Sequence, residues 1–196
     1  MLECMHCGQI ANFKTNSNIE IEKIPYALNS KLKKSIVIKE AVEVEDRFHS
    51  RYNAKQKTYR YVINNSKHGT AIYRDLEYHM PIKLDVEKMK KAVKYFEGEH
   101  DFAAFKASGT SSKSSVRTIY KAEVLEDGER IKIELTGNGF LYNMVRMLTG
   151  ALVEVGTGRM KAEHIPEILA SRERNYSVNT APAKGLTLKE IEFLDW

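Results

Sequence analysis

Cysteine is almost absent from this 196-residue sequence, which contains only Cys4 and Cys7. Two cysteines so close together cannot form a disulfide framework. The sequence also has no apolar run long enough for a membrane span, and no signal-peptide pattern follows Met1. These absences predict a soluble, cytoplasmic protein without a membrane partner.

Several catalytic and cofactor motifs are absent as well. There is no phosphate-binding glycine loop, no nucleophile elbow and no His-Glu-x-x-His signature. Cys4-x-x-Cys7, with His6 between the cysteines, could in principle bind zinc or act in redox chemistry. A structural zinc site needs four ligands, and a thioredoxin-like motif follows a strand, but neither requirement is met here. We therefore do not predict a zinc site or a redox role for these cysteines.

The charge balance is mildly basic. Lys and Arg number 31 against 26 Asp and Glu, which gives a net charge of +5. This excess permits a polyanionic partner without establishing one. The hydrophobic content of 42% is enough for a sizeable core in one domain or two small ones.

The sequence is organised around residues 137–150, together with the residues on either side of them. Ile131, Ile133 and Leu135 alternate with polar residues, which is typical of a half-buried strand. Beyond two glycines the apolar positions recur every three or four residues, the period of a helix. These positions are Leu141, Met144, Val145, Leu148, Ala151, Leu152 and Val155. The helix carries one cation, Arg146, and a buried guanidinium is costly without a partner. Arg146 is therefore expected to meet a carboxylate or open solvent.

A basic segment with interleaved aromatic residues occupies residues 47–61. Its members are Arg47, His49, Arg51, Lys55, Lys57 and Arg60, with Phe48, Tyr52, Tyr59 and Tyr61 between or beside them. Phosphates attract such cations and bases stack on such rings, so the pattern suits single-stranded nucleic acid. A solvated strand face with ordinary core aromatics explains it equally well. A strand at Thr58–Ile63 would put Tyr59 and Tyr61 on one face and Arg60 on the other.

Residues 106–117 are rich in serine and threonine, which predicts a loop. Lys106, Lys113 and Arg117 could contact phosphates there, and the alternative is a plain exposed connection.

The remaining pattern predicts alternating helices and strands. A helix is expected around Pro25 and another after the N-cap Asp85, ending at Gly98. Further predicted elements are strands at Ile36–Val44, Thr118–Val124 and 185–193, and a helix at Ala162–Ala170.

Four groups of residues together resemble the tRNA pseudouridine synthase A family. The segments are Gly8–Phe13, Phe48–Tyr52 with Lys57–Tyr61, His100–Phe102 with Phe105 and Arg117–Ile119, and Gly139–Arg146 with Gly150 and Ala181–Leu186. The run Phe-Leu-Tyr-x-Met-Val-Arg followed by a glycine is the most specific part. The resemblance extends over almost the whole chain.

This resemblance implies an enzyme that converts uridine to pseudouridine in the anticodon stem-loop of tRNA. It implies an α+β fold, with a mixed, mainly antiparallel sheet, helices on one side and two subdomains flanking a basic cleft. It also implies a homodimer without metal or cofactor. On this basis residues 1–46 are expected to be a remnant of the N-terminal subdomain, and residues 47–196 the catalytic and RNA-binding subdomain.

The resemblance also implies roles for individual residues. Arg146 matches the arginine that pairs with the catalytic aspartate, Tyr59 the tyrosine that contacts the target base, and Leu186 an apolar residue of the pocket. A cation beside a carboxylate keeps it ionised. The residues expected to bind RNA are Arg51, Lys55, Lys57, Lys106 and Lys113.

The chain departs from the family at its first residues. Members carry Gly-Arg-Thr-Asp-x-Gly-Val-His, with the catalytic aspartate, where this chain has Met1–Cys7. Glu3 is the nearest carboxylate, but its longer side chain and shifted register argue against a replacement. We therefore expect a chain truncated at the N-terminus and inactive as it stands. The alternative is a non-catalytic tRNA-binding or dimerisation module.

Overall fold

The structure is a computed structural model that describes residues 5–6, 8–107, 114–174 and 178–193. The strands are β1 (Met5–His6), β2 (Ala54–Asn64), β3 (Tyr78–His79), β4 (Gly98–Asp101), β5 (Val116–Asp127), β6 (Arg130–Gly137) and β7 (Leu186–Phe193). The α-helices are α1 (Ile24–Asn29), α2 (Val86–Val93), α3 (Met144–Gly156) and α4 (His164–Ser171).

The chain divides into two compact units. The larger unit comprises Met1–Gln9 and Ala54–Glu192, and the smaller comprises Ile10–Asn53 and Phe193–Trp196. This division follows packing within the chain. The expected boundary between residues 46 and 47 concerns the two family subdomains and stays a prediction.

One mixed sheet forms the frame of the larger unit. Its strand order is β1-β7-β2-β6-β5-β4, and β3 also pairs with β2. The β2–β6, β5–β6 and β4–β5 pairs are antiparallel, whereas β1–β7 and β2–β3 are parallel. The predicted α+β fold with a mainly antiparallel mixed sheet is therefore confirmed.

The core lies between one face of this sheet and the helices α2, α3 and α4. On β6, Ile131, Ile133 and Leu135 are buried in the same hydrophobic cluster as residues of these helices. Every residue of α3 except Glu154 is buried. A helix that is apolar on nearly all sides needs such an environment, because water on any side would expose apolar surface.

Most of the elements predicted from the sequence are present. The Asp85 side chain caps α2 by accepting a hydrogen bond from the Lys88 amide at 3.1 Å. Gly128 has φ 60° in the two-residue turn between β5 and β6, a conformation that glycine adopts without strain. The predicted helix around Pro25 is α1, the one near Ala162–Ala170 is α4, and the last strand is β7.

The predicted strand at Ile36–Val44 is wrong, because these residues form no strand in the structure. Their apolar side chains remain largely exposed, with Ile36 at 51% and Val42 at 53%. A side chain takes the role that a neighbouring strand would have: the Asn29 amide accepts from the Ile38 N–H and donates to the Ile38 carbonyl. An alternating pattern forms a strand only where a partner backbone satisfies its hydrogen-bonding groups.

The smaller unit is held mainly by polar contacts and a few aromatic ones. Asn12 donates to the Phe48 carbonyl and accepts from the Ser50 amide. The rings of Phe48 and Phe193 lie 5.4 Å apart. No helix among the described residues has the length and apolar character needed to cross a membrane.

Candidate active site

The candidate site is built around Arg146, in the first turns of α3. β6 ends at Gly137, which packs against the Thr118 carbonyl of β5. The chain then passes through a short loop and reaches Asn143, whose backbone is left-handed with φ 60° and ψ 6°. α3 begins at the next residue, so this loop fixes where Arg146 lies.

Arg146 is only 8% exposed, and its guanidinium is held by two acceptors. Nε donates to the Ala181 carbonyl at 2.7 Å, and Nη1 donates to the Asn143 side-chain oxygen at 3.0 Å. In the part of the chain that the structure describes, Arg146 forms no ion pair with a carboxylate. Three of its five N–H groups therefore have no protein acceptor among the described residues.

One face of α3 binds the segment that supplies the Ala181 carbonyl. Arg146, Gly150 and Glu154 are spaced by four residues and so lie along one side of the helix. The Ala181 amide also donates to the Arg146 carbonyl at 3.1 Å. A Cβ on Gly150 would overlap the Asn179 carbonyl, while Glu154 accepts from the Asn179 side chain at 3.3 Å. The segment thus lies directly against the helix backbone.

The same segment is fixed to the sheet a few residues later. Tyr61 of β2 is fully buried and donates its hydroxyl to the Pro182 carbonyl at 2.6 Å. A Cβ on Gly185 would lie 2.7 Å from the Tyr61 ring, so only glycine fits this close approach. Leu186 follows as the first residue of β7 and is buried. Arg146 and Leu186 are therefore linked through one short, doubly anchored segment.

Tyr59 lies two residues before Tyr61, on the core-facing side of β2. Its ring packs edge-on against Phe140, with centroids 5.1 Å apart, and Phe140 belongs to the loop that leads into α3. Tyr59 is partly buried against the hydrophobic core. The predicted orientation of Tyr59 and Tyr61 on one face is confirmed, with Arg60 on the opposite face, where it pairs with Glu134.

The described contacts do not bring together the residues that were predicted to bind RNA. Lys55 forms an ion pair with Glu192 at 3.0 Å, and Lys57 lies opposite Gly137 in the β2–β6 ladder. Lys106 follows a 3₁₀ turn at Ala103–Phe105. Arg51 belongs to the smaller unit, where its guanidinium lies 5.8 Å from the Tyr52 ring centroid. Lys113 lies outside the described residues, as do Glu3, Cys4 and Cys7.

A separate concavity of about 370 Å³ lies on the polar face of the sheet. Glu134 is one of its lining residues; it accepts a hydrogen bond from Lys189 at 2.8 Å and pairs with Arg60 at 2.6 Å. Burial raises the pKa of Glu134, but the hydrogen bonds from Lys189 and Arg60 outweigh it and lower that pKa overall. None of the residues predicted for the site is among the described residues that line this concavity. The concavity is therefore a surface of paired charges and not the candidate site.

Two contributors to the site have no counterpart in the sequence-based predictions. The Ala181 carbonyl is a backbone acceptor 35 residues from Arg146, and no side-chain pattern signals it. Asn143 could have been found, because it precedes the arginine by three residues at the start of a helix, a spacing that puts both on one side.

Comparison with known proteins identifies the family of the chain. The family model described as tRNA pseudouridine synthase matches residues 92–194, a range that includes β5, β6, α3 and the segment at residues 179–186. The tRNA pseudouridine synthase A of Acetivibrio thermocellus is 50% identical over 186 residues, which cover 95% of this chain and 76% of that protein. The protein of the same name from Thermoanaerobacter sp. (strain X514) is 48% identical over 183 residues, covering 93% and 75%.

A third relative carries a slightly different name. The tRNA pseudouridine synthase A 2 of Bacillus anthracis is 44% identical over 186 residues, covering 95% of this chain and 76% of that protein. The fold and the site define an α+β chain with a buried arginine held between a loop and a segment that is anchored to the sheet. The chain belongs to the tRNA pseudouridine synthase family, a family of isomerases.

Proposed function

We propose that this chain binds tRNA and supplies the arginine, tyrosine and leucine portion of a site that isomerises uridine to pseudouridine in the anticodon stem-loop. The observation that carries the proposal is the state of Arg146. Its guanidinium is buried and fixed by two acceptors, yet no described carboxylate pairs with it. A buried cation with N–H groups left over is suited to an anionic group that joins it during function.

Each residue then has a definite role. A uridine taken out of its stack needs an aromatic or apolar wall, which Tyr59 and Leu186 provide. Arg146 pairs with the reacting carboxylate, keeps it ionised and orients it. We propose that the chain as given does not catalyse the reaction, because Met1–Cys7 do not contain the aspartate that the family resemblance leads us to expect there.

The cations named above contribute the binding energy for tRNA in this proposal. Arg51, Lys55, Lys57, Lys106 and Lys113 contact phosphates, and each contact releases a counterion. Affinity should therefore fall steeply as salt rises. A second copy of the chain, as the family resemblance implies, would present a second set of these cations.

Tritium release from tRNA labelled at uridine C5 tests the catalytic part. We expect no release above a no-protein control from this chain, while the Acetivibrio thermocellus relative serves as the positive control. Release clearly above the blank would show that the chain holds its own catalytic carboxylate and would contradict the proposed division of the site.

Salt-dependent binding tests the tRNA part. We expect the slope of log affinity against log salt to become shallower by about 0.7 to 0.9 when Lys57 is changed to Gln. Lys91→Gln is the matched control, because Lys91 is exposed on the outer side of α2. A slope near zero for the unmodified chain, or equal changes in both variants, would contradict tRNA binding through β2.

The alternative is a non-catalytic module that binds tRNA or pairs with an intact synthase. The exposed apolar side chains of the smaller unit favour a protein partner, since Tyr26 is 78% and Phe13 is 61% exposed. Co-purification of the chain with an intact relative, measured by light scattering, distinguishes this alternative. A mixed dimer supports it, and two separate species contradict it.

A further inference from the structure

We propose that Asn143 is a positioning residue for Arg146: together with the Ala181 carbonyl, its side chain fixes the plane of the guanidinium. This inference rests on the proposed function for what the arginine meets during the reaction. The contact between the two side chains is independent of that function.

The backbone of Asn143 is the first observation. Among the described residues only Asn143 and Arg172 are non-glycine residues with positive φ. Asparagine tolerates the left-handed region better than most residues, yet it rarely adopts it immediately before a helix, where the N-cap is normally extended. Residues held in such conformations cluster at functional sites.

The second observation is what the Asn143 side chain does. Asparagine is among the best N-cap residues because its oxygen normally accepts from an amide in the first helical turn. Here the side chain makes no capping hydrogen bond. The left-handed backbone directs it instead to Arg146, where Oδ1 accepts from Nη1 at 3.0 Å. The Asn143 carbonyl still joins the helix by accepting from the Met147 amide at 3.0 Å.

The two contacts on Arg146 act at different nitrogens. Ala181 accepts from Nε and Asn143 from Nη1, so together they block rotation of the guanidinium about both Nε–Cζ and Cζ–Nη1. The other N–H groups then point in fixed directions. Preorganised donors of this kind bind a carboxylate in one orientation without a reorganisation cost.

A purely structural role for Asn143 makes a different prediction. If the residue served only the left-handed turn, glycine would replace it without consequence, because glycine adopts positive φ freely. The variant Asn143→Gly therefore separates the backbone role from the side-chain role. Asn143→Asp is the conservative partner variant, because it keeps an acceptor oxygen at the same place.

The test is nitrogen NMR of the full chain without tRNA, with the Arg146 guanidinium resonances assigned from an Arg146→Lys spectrum. In the unmodified chain we expect slow rotation of the guanidinium and resolved Nη signals. In N143G we expect rotation at least tenfold faster, while the Nε–H signal, held by Ala181, and the backbone spectrum elsewhere are retained. Equal rotation rates in N143G and the unmodified chain would overturn the proposal.

The second variant keeps the proposal testable if N143G is poorly folded. N143D should restore slow rotation at neutral pH, because its carboxylate keeps an acceptor oxygen at the same place as Asn143 Oδ1. Fast rotation in folded N143D at neutral pH would overturn the proposal. The spectra are recorded without tRNA, so their result does not depend on the outcome of the tritium-release and tRNA-binding experiments.

Discussion

The same alternating sequence pattern has opposite outcomes in the two units. In the larger unit Ile131, Ile133 and Leu135 are buried on β6, which has partner strands on both sides. In the smaller unit the apolar residues of segment 36–44 alternate in the same way, yet Ile36 and Val42 are more than half exposed. The pattern predicts which face of a strand would be buried, but a strand forms only where a partner backbone exists.

The two segments also differ in what pairs with their backbone N–H and C=O groups. The β6 amides and carbonyls pair with β2 and β5 along the strand. In segment 36–44 one side chain, that of Asn29, satisfies both backbone groups of Ile38. Side-chain partners of this kind serve one residue at a time and do not propagate along the chain.

Hydrogen exchange should show the largest contrast between the two regions. Amides in the centre of β6, such as that of Ile133, should open only with global unfolding, on the order of 5–15 kcal/mol. Amides of residues 36–44 should exchange with opening free energies near zero, with Ile38 intermediate because its N–H donates to Asn29. Mass spectrometry of peptic fragments measures both segments in one experiment.

Equal protection in the two segments would contradict this comparison. It would mean that residues 36–44 acquire a partner in solution, and dilution would then decide whether that partner is a second copy of the chain. Protection that falls on dilution identifies the second copy, since the dimer dissociates by mass action.

The elements that the sequence predicts well are those determined by neighbours along the chain. α2 follows from its period and the Asp85 cap, and the hairpin of β5 and β6 follows from alternation around Gly128. The site required contacts that sequence spacing does not encode. The Ala181 carbonyl reaches Arg146 because Gly150 lets a distant segment approach α3, which depends on the completed tertiary structure.

Truncating a core residue of β6 should have the next largest effect. Leu135 is fully buried, so Leu135→Ala should lower the free energy of unfolding by about 3 kcal/mol through lost burial and a residual cavity. Val37→Ala is the matched control in the smaller unit, where Val37 is 67% exposed, and should change it by less than about 0.5 kcal/mol. Urea unfolding followed by circular dichroism measures both. Similar losses in the two variants would show that segment 36–44 is packed in solution.

A methyl group on α3 should perturb the site from the helix side. In Gly150→Ala the new Cβ overlaps the Asn179 carbonyl, so the segment carrying Ala181 must move away at a cost of about 2 kcal/mol. In Gly139→Ala the nearest atom to the Cβ is Arg117 Nε at 3.6 Å, an ordinary contact, and stability should be nearly unchanged. Thermal unfolding of both variants measures the difference, and a neutral Gly150→Ala would show that residues 179–181 do not rest against the helix.

The smallest expected effect concerns ion pairs in the two regions. The Glu134 side chain is 14% exposed, between Arg60 and Lys189, and its pKa is lowered overall. A carboxylate whose pKa is lower in the folded than in the unfolded state stabilises the fold at pH values above its unfolded-state pKa, which is about 4.3 for Glu. This stabilisation is lost as the pH falls through the folded-state pKa. Glu134→Gln should therefore cost about 1 kcal/mol at pH 7, with the difference from the unmodified chain shrinking below about pH 4.

Asp46 in the smaller unit supplies the control for Glu134. The hydrogen bond from Lys14 lowers the pKa of Asp46 as well, but the Asp46 side chain is 92% exposed and water screens the pair. Asp46→Asn should therefore leave the pH dependence of unfolding unchanged. Urea titrations between pH 3 and pH 7 test both variants.

A pH-independent loss of unfolding free energy in Glu134→Gln would mean that the Glu134 side chain stabilises the sheet by packing and neutral hydrogen bonds. Charge pairing on the polar face would then contribute nothing. The surroundings of Glu134 and Asp46 therefore differ in how far they exclude water. The change in unfolding free energy between pH 7 and pH 3 measures that difference.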